Sequence, residues 1–92
     1  MSDNTFDAFK ARKLSEHYDE VLVREWAPGF ANAPHEHPFD TDAIVAQGEF
    51  WLTTNGQTIH YQAGDRFAVA RGQIHSEKYG TQGAVFWAAR KN

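Results

Sequence analysis

The chain has 92 residues, a net charge of −3 and no cysteine, so it can build one core, and disulfides, thiolate metal sites and a cysteine nucleophile are excluded. Its 41% hydrophobic and 14% aromatic content, with Trp26, Trp51 and Trp87 spread along the chain, argues for a packed globular domain and against disorder. The few basic residues are scattered, so no basic stripe tracks a phosphate backbone and nucleic acid is not an expected partner.

The segment from Met1 to Lys10 has no apolar core and does not read as a signal peptide. No run approaches bilayer-spanning length, so a membrane is not an expected partner and the cytoplasm is the expected location. Ser2, Asp3, Asn4 and Thr5 are N-cap candidates, and Phe6 and Phe9 follow at helical spacing, with Lys10, Arg12 and Lys13 complementing the dipole toward the C-terminal half. This predicts a short amphipathic helix from Thr5 to about Glu16. Its Phe6 and Phe9 require cover, either the outside of a sheet or a second subunit. His17, at the helix end, is expected to cap carbonyls there.

From Tyr18 the period changes to two. Val21 and Val23 alternate with Leu22, Arg24 and Trp26 up to the turn Ala27-Pro28-Gly29. Phe30 to His37 reads as a broken extended segment. Asp42–Gln47, Glu49–Thr54, Gln57–Gln62, Arg66–Ala70, Ile74–Tyr79 and Ala84–Ala89 read as further strands, and Asn55-Gly56 is a strong type I′ hairpin signal. About eight short strands, with a glycine near almost every junction, indicate an all-β sandwich or barrel. Residues 1–92 are read as one domain, with a helical segment over 1–17 and the barrel over 18–92.

The chemistry concentrates in Pro34–Gly48. Alternate side chains on a strand share a face, so His35 and His37 project together, a pairing that suits borderline divalent metals. A chance His-x-His in a polar loop is the competing reading. His60 alternates with Ile59 and Tyr61, which read as inward, and is therefore expected at the surface. Alternation also puts His75, Glu77 and Tyr79 on one face, so if His75 points into the barrel the other two follow. A carboxylate beside a metal in an apolar barrel can act as general acid or base, which makes Glu77 a catalytic candidate with Tyr79 beside it. Alternatively, Glu77 orients a ligating histidine or pairs with Arg24 or Arg66. Phe39, Phe50, Leu52, Phe67, Val69 and Phe86 are expected in the core.

Two motifs in order resemble the cupin family. Gly29, five residues, His35-x-His37 and a closing Gly48 resemble the first. Gly64-Asp65, then Ala70-Arg71-Gly72, two residues, His75, and Tyr79 resemble the second, with alanine and tyrosine where that family has proline and asparagine. The resemblance spans Gly29 to Tyr79 and implies a double-stranded β-helix (jelly-roll) barrel. It implies one internal divalent metal ion (Fe, Mn, Ni or Zn) on His35, His37 and His75. That family's first motif also supplies a glutamate. Here Thr41 and Asp42 stand at the two allowed spacings, so the resemblance implies three histidines plus water, with Asp40 or Asp42 as an optional fourth ligand. It further implies a small polar ligand or substrate. The options are a metal-dependent isomerase or dioxygenase, a non-catalytic sensing barrel, or a barrel with a vestigial site. A homodimer is expected from the uncovered helix aromatics and from the pairing of cupins through N-terminal elements.

Overall fold

The computed structural model describes residues 5–92, and the cap candidates Ser2, Asp3 and Asn4 lie outside them. Thr5 is extended and its Oγ1 accepts the Ala8 N–H at 3.1 Å, opening helix α1 over Phe6–Ser15. The helix closes through His17, whose φ is +72°. Its N–H donates to Leu14 O at 3.1 Å and that of Tyr18 to Lys13 O at 3.2 Å. That is the paired closure usually reserved for glycine. The capping expected of His17 is thus carried by its backbone.

Five strands follow: β1 (Glu20–Trp26), β2 (Asp40–Thr54), β3 (Gln57–Gln62), β4 (Arg66–Val69) and β5 (His75–Lys91). They are antiparallel in the order β1-β5-β2-β3, with β4 paired to β2. The count is lower than the sequence indicates because β2 and β5 each join two expected strands and the segment Phe30–His37 makes only isolated bridges. The expected breaks at Gly48 and at Gly80–Gly83 are irregularities inside continuous strands. Gly48 pairs with Ala84 and Phe50 with Tyr79, so β5 carries four residues where β2 carries only Glu49. A side chain at Gly48 would collide with the Gly83 carbonyl, and both glycines have φ above +70°. This glycine contact lets the two long strands bend together, so each contributes to both halves of the barrel. Asn55 and Gly56 have the positive φ of the expected hairpin turn. Phe30–His37 makes only single bridges, Ala31 to Lys78 and His35 to His75.

Two apolar layers result. Inside the barrel, Ala43, Val45, Phe50, Leu52, Phe67, Val69, Tyr79, Ala84, Phe86 and Ala88 form one core. Outside it, Phe9 is completely buried on Val21 and Ala89, with Phe6, Tyr18, Ile44 and Trp87 around it. The helix therefore covers the sheet, and its phenylalanines give no ground for a dimer. Lys13 is also buried here. Its ammonium donates to Asp42 Oδ2 and lies 3.2 Å from Glu16 Oε1 and 5.0 Å from the Tyr18 ring centre. Tyr61 packs on the inner core as expected, whereas Ile59 is half exposed. Phe39 is only partly buried and stands at the cavity described below. No described helix is long and apolar enough to cross a membrane.

Candidate metal centre

His35 and His75 face each other across a two-way backbone bridge, each N–H donating to the other's carbonyl at 2.9 Å. Directly opposed residues put their side chains on the same side, and the two ring centres are 4.3 Å apart. His37, two residues along, returns to that side. Its ring lies 4.9 Å from His35 and 5.0 Å from His75. One nitrogen from each of the three lies within 4.8 Å of the others.

The donor set fits a divalent ion. His35 Nδ1 is 2.8 Å from Ala33 O and His75 Nδ1 is 2.9 Å from Gln73 O. A carbonyl only accepts, so both Nδ1 atoms carry a proton, and in the neutral ring each Nε2 is the atom left with a lone pair for a metal. His37 is held below the usual histidine range, chiefly by burial, and then by the positive charge of His75, His35, Arg90 and Arg24. Its imidazole therefore favours the neutral, ligating form.

The carboxylates are placed differently from the sequence reading. Alternation on β2 turns Thr41, Ala43 and Val45 inward and Asp40, Asp42 and Ile44 outward. Asp42 binds Lys13, with Arg66 Nη2 at 3.4 Å, and Asp40 accepts the Arg71 N–H at 2.7 Å. Neither joins the histidines, and Thr41 lines the cavity where the resemblance would put glutamate. The carboxylate that does reach the cluster is Glu77, with Oε1 3.6 Å from His35 Nε2. Asn32 Nδ2 donates to Oε1 and the Tyr79 hydroxyl to Oε2, each at 3.0 Å. Arg66 is engaged with Asp42 instead, and Arg24 lies 4.8 Å from the Trp26 ring.

Tyr79 does not line the histidine cavity but packs in the barrel core. Its ring is stacked among Trp26, Phe30 and Phe50, and its hydroxyl is committed to Glu77. Burial, followed by the Glu77 charge and hydrogen bond, holds the phenol well above its usual range, so it stays protonated and acts only as a donor. His60 is at the surface as expected, stacked on Trp51 and 2.6 Å from Glu49 Oε1.

The histidines open into a cavity of about 270 Å³, floored by Phe67, Val69, Phe86 and Ala88 and edged by Trp26 and Phe39. Asn32, Arg24 and Arg90 also line it and were not singled out as site residues from the sequence. Arg24 shares a strand face with Trp26, and that parity was the available signal. Arg90 carried none, because it lies beyond the β5 irregularity, where strand alternation changes phase.

No family model matches the chain. It is 42% identical over 57 residues to germin-like protein subfamily T member 2 of Arabidopsis thaliana, a match covering 55% of this chain and 26% of that protein. The chain thus spans about a quarter of the length of the curated relative it matches. A double-stranded β-helix protein from Klebsiella pneumoniae superposes with a TM-score of 0.64 at 31% identity, over 77% of this chain and 64% of that one. A predicted oxalate decarboxylase from Thermotoga maritima gives 0.69 at 21% identity, over 87% and 71%. This barrel and these structural likenesses show that the chain has the double-stranded β-helix fold of the cupins, with three histidines at the spacing of the cupin motifs.

Proposed function

We propose that the domain binds one divalent metal ion on His35, His37 and His75 and presents it to a small polar molecule in the barrel cavity. The observation that carries this is the convergence of three imidazoles, with the Nδ1 atoms of His35 and His75 engaged by backbone carbonyls so that Nε2 is the atom left for a metal, beside a His37 whose proton affinity is lowered. A bound ion of this kind supplies Lewis acidity toward a substrate oxygen or, as Fe(II), a place for O₂. Thr41 in place of a carboxylate leaves a neutral donor set with room for ligand or water.

Glu77 is the residue of this chain suited to hold or move a proton at Oε1, because Asn32 and Tyr79 fix its orientation toward His35. That arrangement favours an enzyme over a passive barrel. Metal analysis after exposure to Fe, Mn, Ni and Zn tests the metal reading. One equivalent is expected in the native protein and a large loss in His35→Ala and His75→Ala. No uptake of any of the four ions refutes it. In a substrate screen, activity that survives Glu77→Gln unchanged removes the proton role.

A further inference from the structure

The overall charge of the chain is −3, yet its cavity is lined by two arginines and one carboxylate. That carboxylate, Glu77, already accepts from Asn32 and Tyr79. Arg24 reaches the cavity from β1, where it opposes Phe86, and Arg90 from β5, where it opposes Glu20 on one side and Thr41 on the other. Each guanidinium rests on an aromatic wall, Arg24 at 4.8 Å from Trp26 and Arg90 at 4.6 Å from Phe39. Such stacking uses the face of the guanidinium and leaves its N–H edge free to donate.

Among the described residues, Arg24 has no carboxylate at ion-pair distance. Arg90 has only the exposed Glu20 at 3.9 Å, a separation at which a solvated pair contributes little. Two cations with open donor edges therefore face a small cavity with an apolar floor.

We infer that the ligand of this cavity is a small carboxylic acid, its carboxylate held by Arg24 and Arg90 and its hydrocarbon part lying on Phe67, Val69, Phe86 and Ala88. This rests on reading the same cavity as the ligand site and adds the chemical class. The volume, at the lower end of small-molecule pockets, sets the size to that of a short branched or monocyclic acid. A guanidinium selects for charge because an amide or alcohol of the same shape leaves its N–H donors with weaker acceptors.

Calorimetric titration at low salt with benzoate and 2-hydroxyisovalerate, each beside its amide, tests this on metal-free and Ni(II)-loaded protein. Both acids are expected to bind at least tenfold more tightly than their amides. Arg24→Gln/Arg90→Gln should abolish that preference, a loss of roughly tenfold to a hundredfold in acid affinity, while metal stoichiometry is unchanged. Equal binding of acids and amides, no binding of either, or a preference that survives the double variant overturns the inference. The acid–amide comparison needs no variant, so a misfolded double variant leaves the test intact. Metal uptake is measured separately. An arginine-dependent acid preference without metal uptake would retain this inference and refute the metal reading, and uptake without the preference would do the reverse.

Discussion

Asp42→Asn separates a metal ligand from a structural anchor. Asp42 stands at a position where a cupin carboxylate ligand is allowed, but its side chain leaves the barrel to meet Lys13, which is only 2% exposed. Removing one partner of a buried pair costs about 3–5 kcal/mol, because the other charge remains buried and uncompensated. Here Asp42 is itself 23% exposed and Glu16 stays 3.2 Å from the ammonium, so both features reduce the loss. Arg66 is half exposed and its contact with Asp42 adds little. About 2 kcal/mol remains, which lowers Tm by roughly 8–16 °C in a domain of this size. Lys13→Met in the same background removes the stranded ammonium and should recover most of that loss. Thermal melts of the single and double variants measure this, and metal analysis of the same samples should show unchanged stoichiometry. A variant that melts like the native protein but loses its metal would show that Asp42 turns inward, and the outward assignment of β2 would fail.

Three other substitutions or conditions test separate parts of the fold. His17→Gly relieves a left-handed residue at the helix closure and should raise stability by about 1 kcal/mol, less what the more flexible unfolded chain takes back, read as a Tm increase of a few degrees. A drop in Tm would show that the His17 ring contributes more than the backbone closure. Gly48→Ala places a methyl group against the Gly83 carbonyl at φ +79° and should cost about 3 kcal/mol; urea midpoints within error of native would mean that the strand crossing is loose. His37, with its proton affinity lowered by burial and neighbouring positive charge, is neutral in both folded and unfolded states above pH 6.5. As pH falls below that value the unfolded chain takes the proton first, so metal-free protein should lose stability from there downward. Melts between pH 8 and 5.5 should show a steeper fall in native protein than in His37→Gln, and parallel curves would count against this origin.

The fold was readable wherever a local signal decided it. Asn55-Gly56 specified its turn, Thr5 its cap, and the one-residue spacing of His35 and His37 their common face. The side chain at the missing-glutamate position was not readable, because Asp40, Thr41 and Asp42 differ by one step of alternation and only packing chooses the phase. That choice came from Lys13, a helix residue whose burial depends on a contact 29 positions away. Alternation also fails to carry across the β5 bulge. His75, Glu77 and Tyr79 face inward at odd positions, and the unmatched residues 80–83 reverse the phase, so Phe86, Ala88 and Arg90 face inward at even ones. Extrapolated from His75, Arg90 would lie outside, and one end of the cavity would be missed.

The mutual backbone bond between His35 and His75 sets how an ion relates to folding. Two donors 40 positions apart are brought together by the barrel's own hydrogen bonds, so closing that loop does not depend on coordination. In a zinc finger the ion performs that closure and its removal unfolds the chain. Here chelation is expected to leave the barrel folded, and a bound ion would add only a mass-action increment of RT ln(1 + [M]/Kd), about 2.7 kcal/mol at a hundredfold excess over Kd. An ion held on these three histidines would therefore be free to enter, leave and exchange in a folded chain, and its occupancy would follow the metal supply rather than the history of folding.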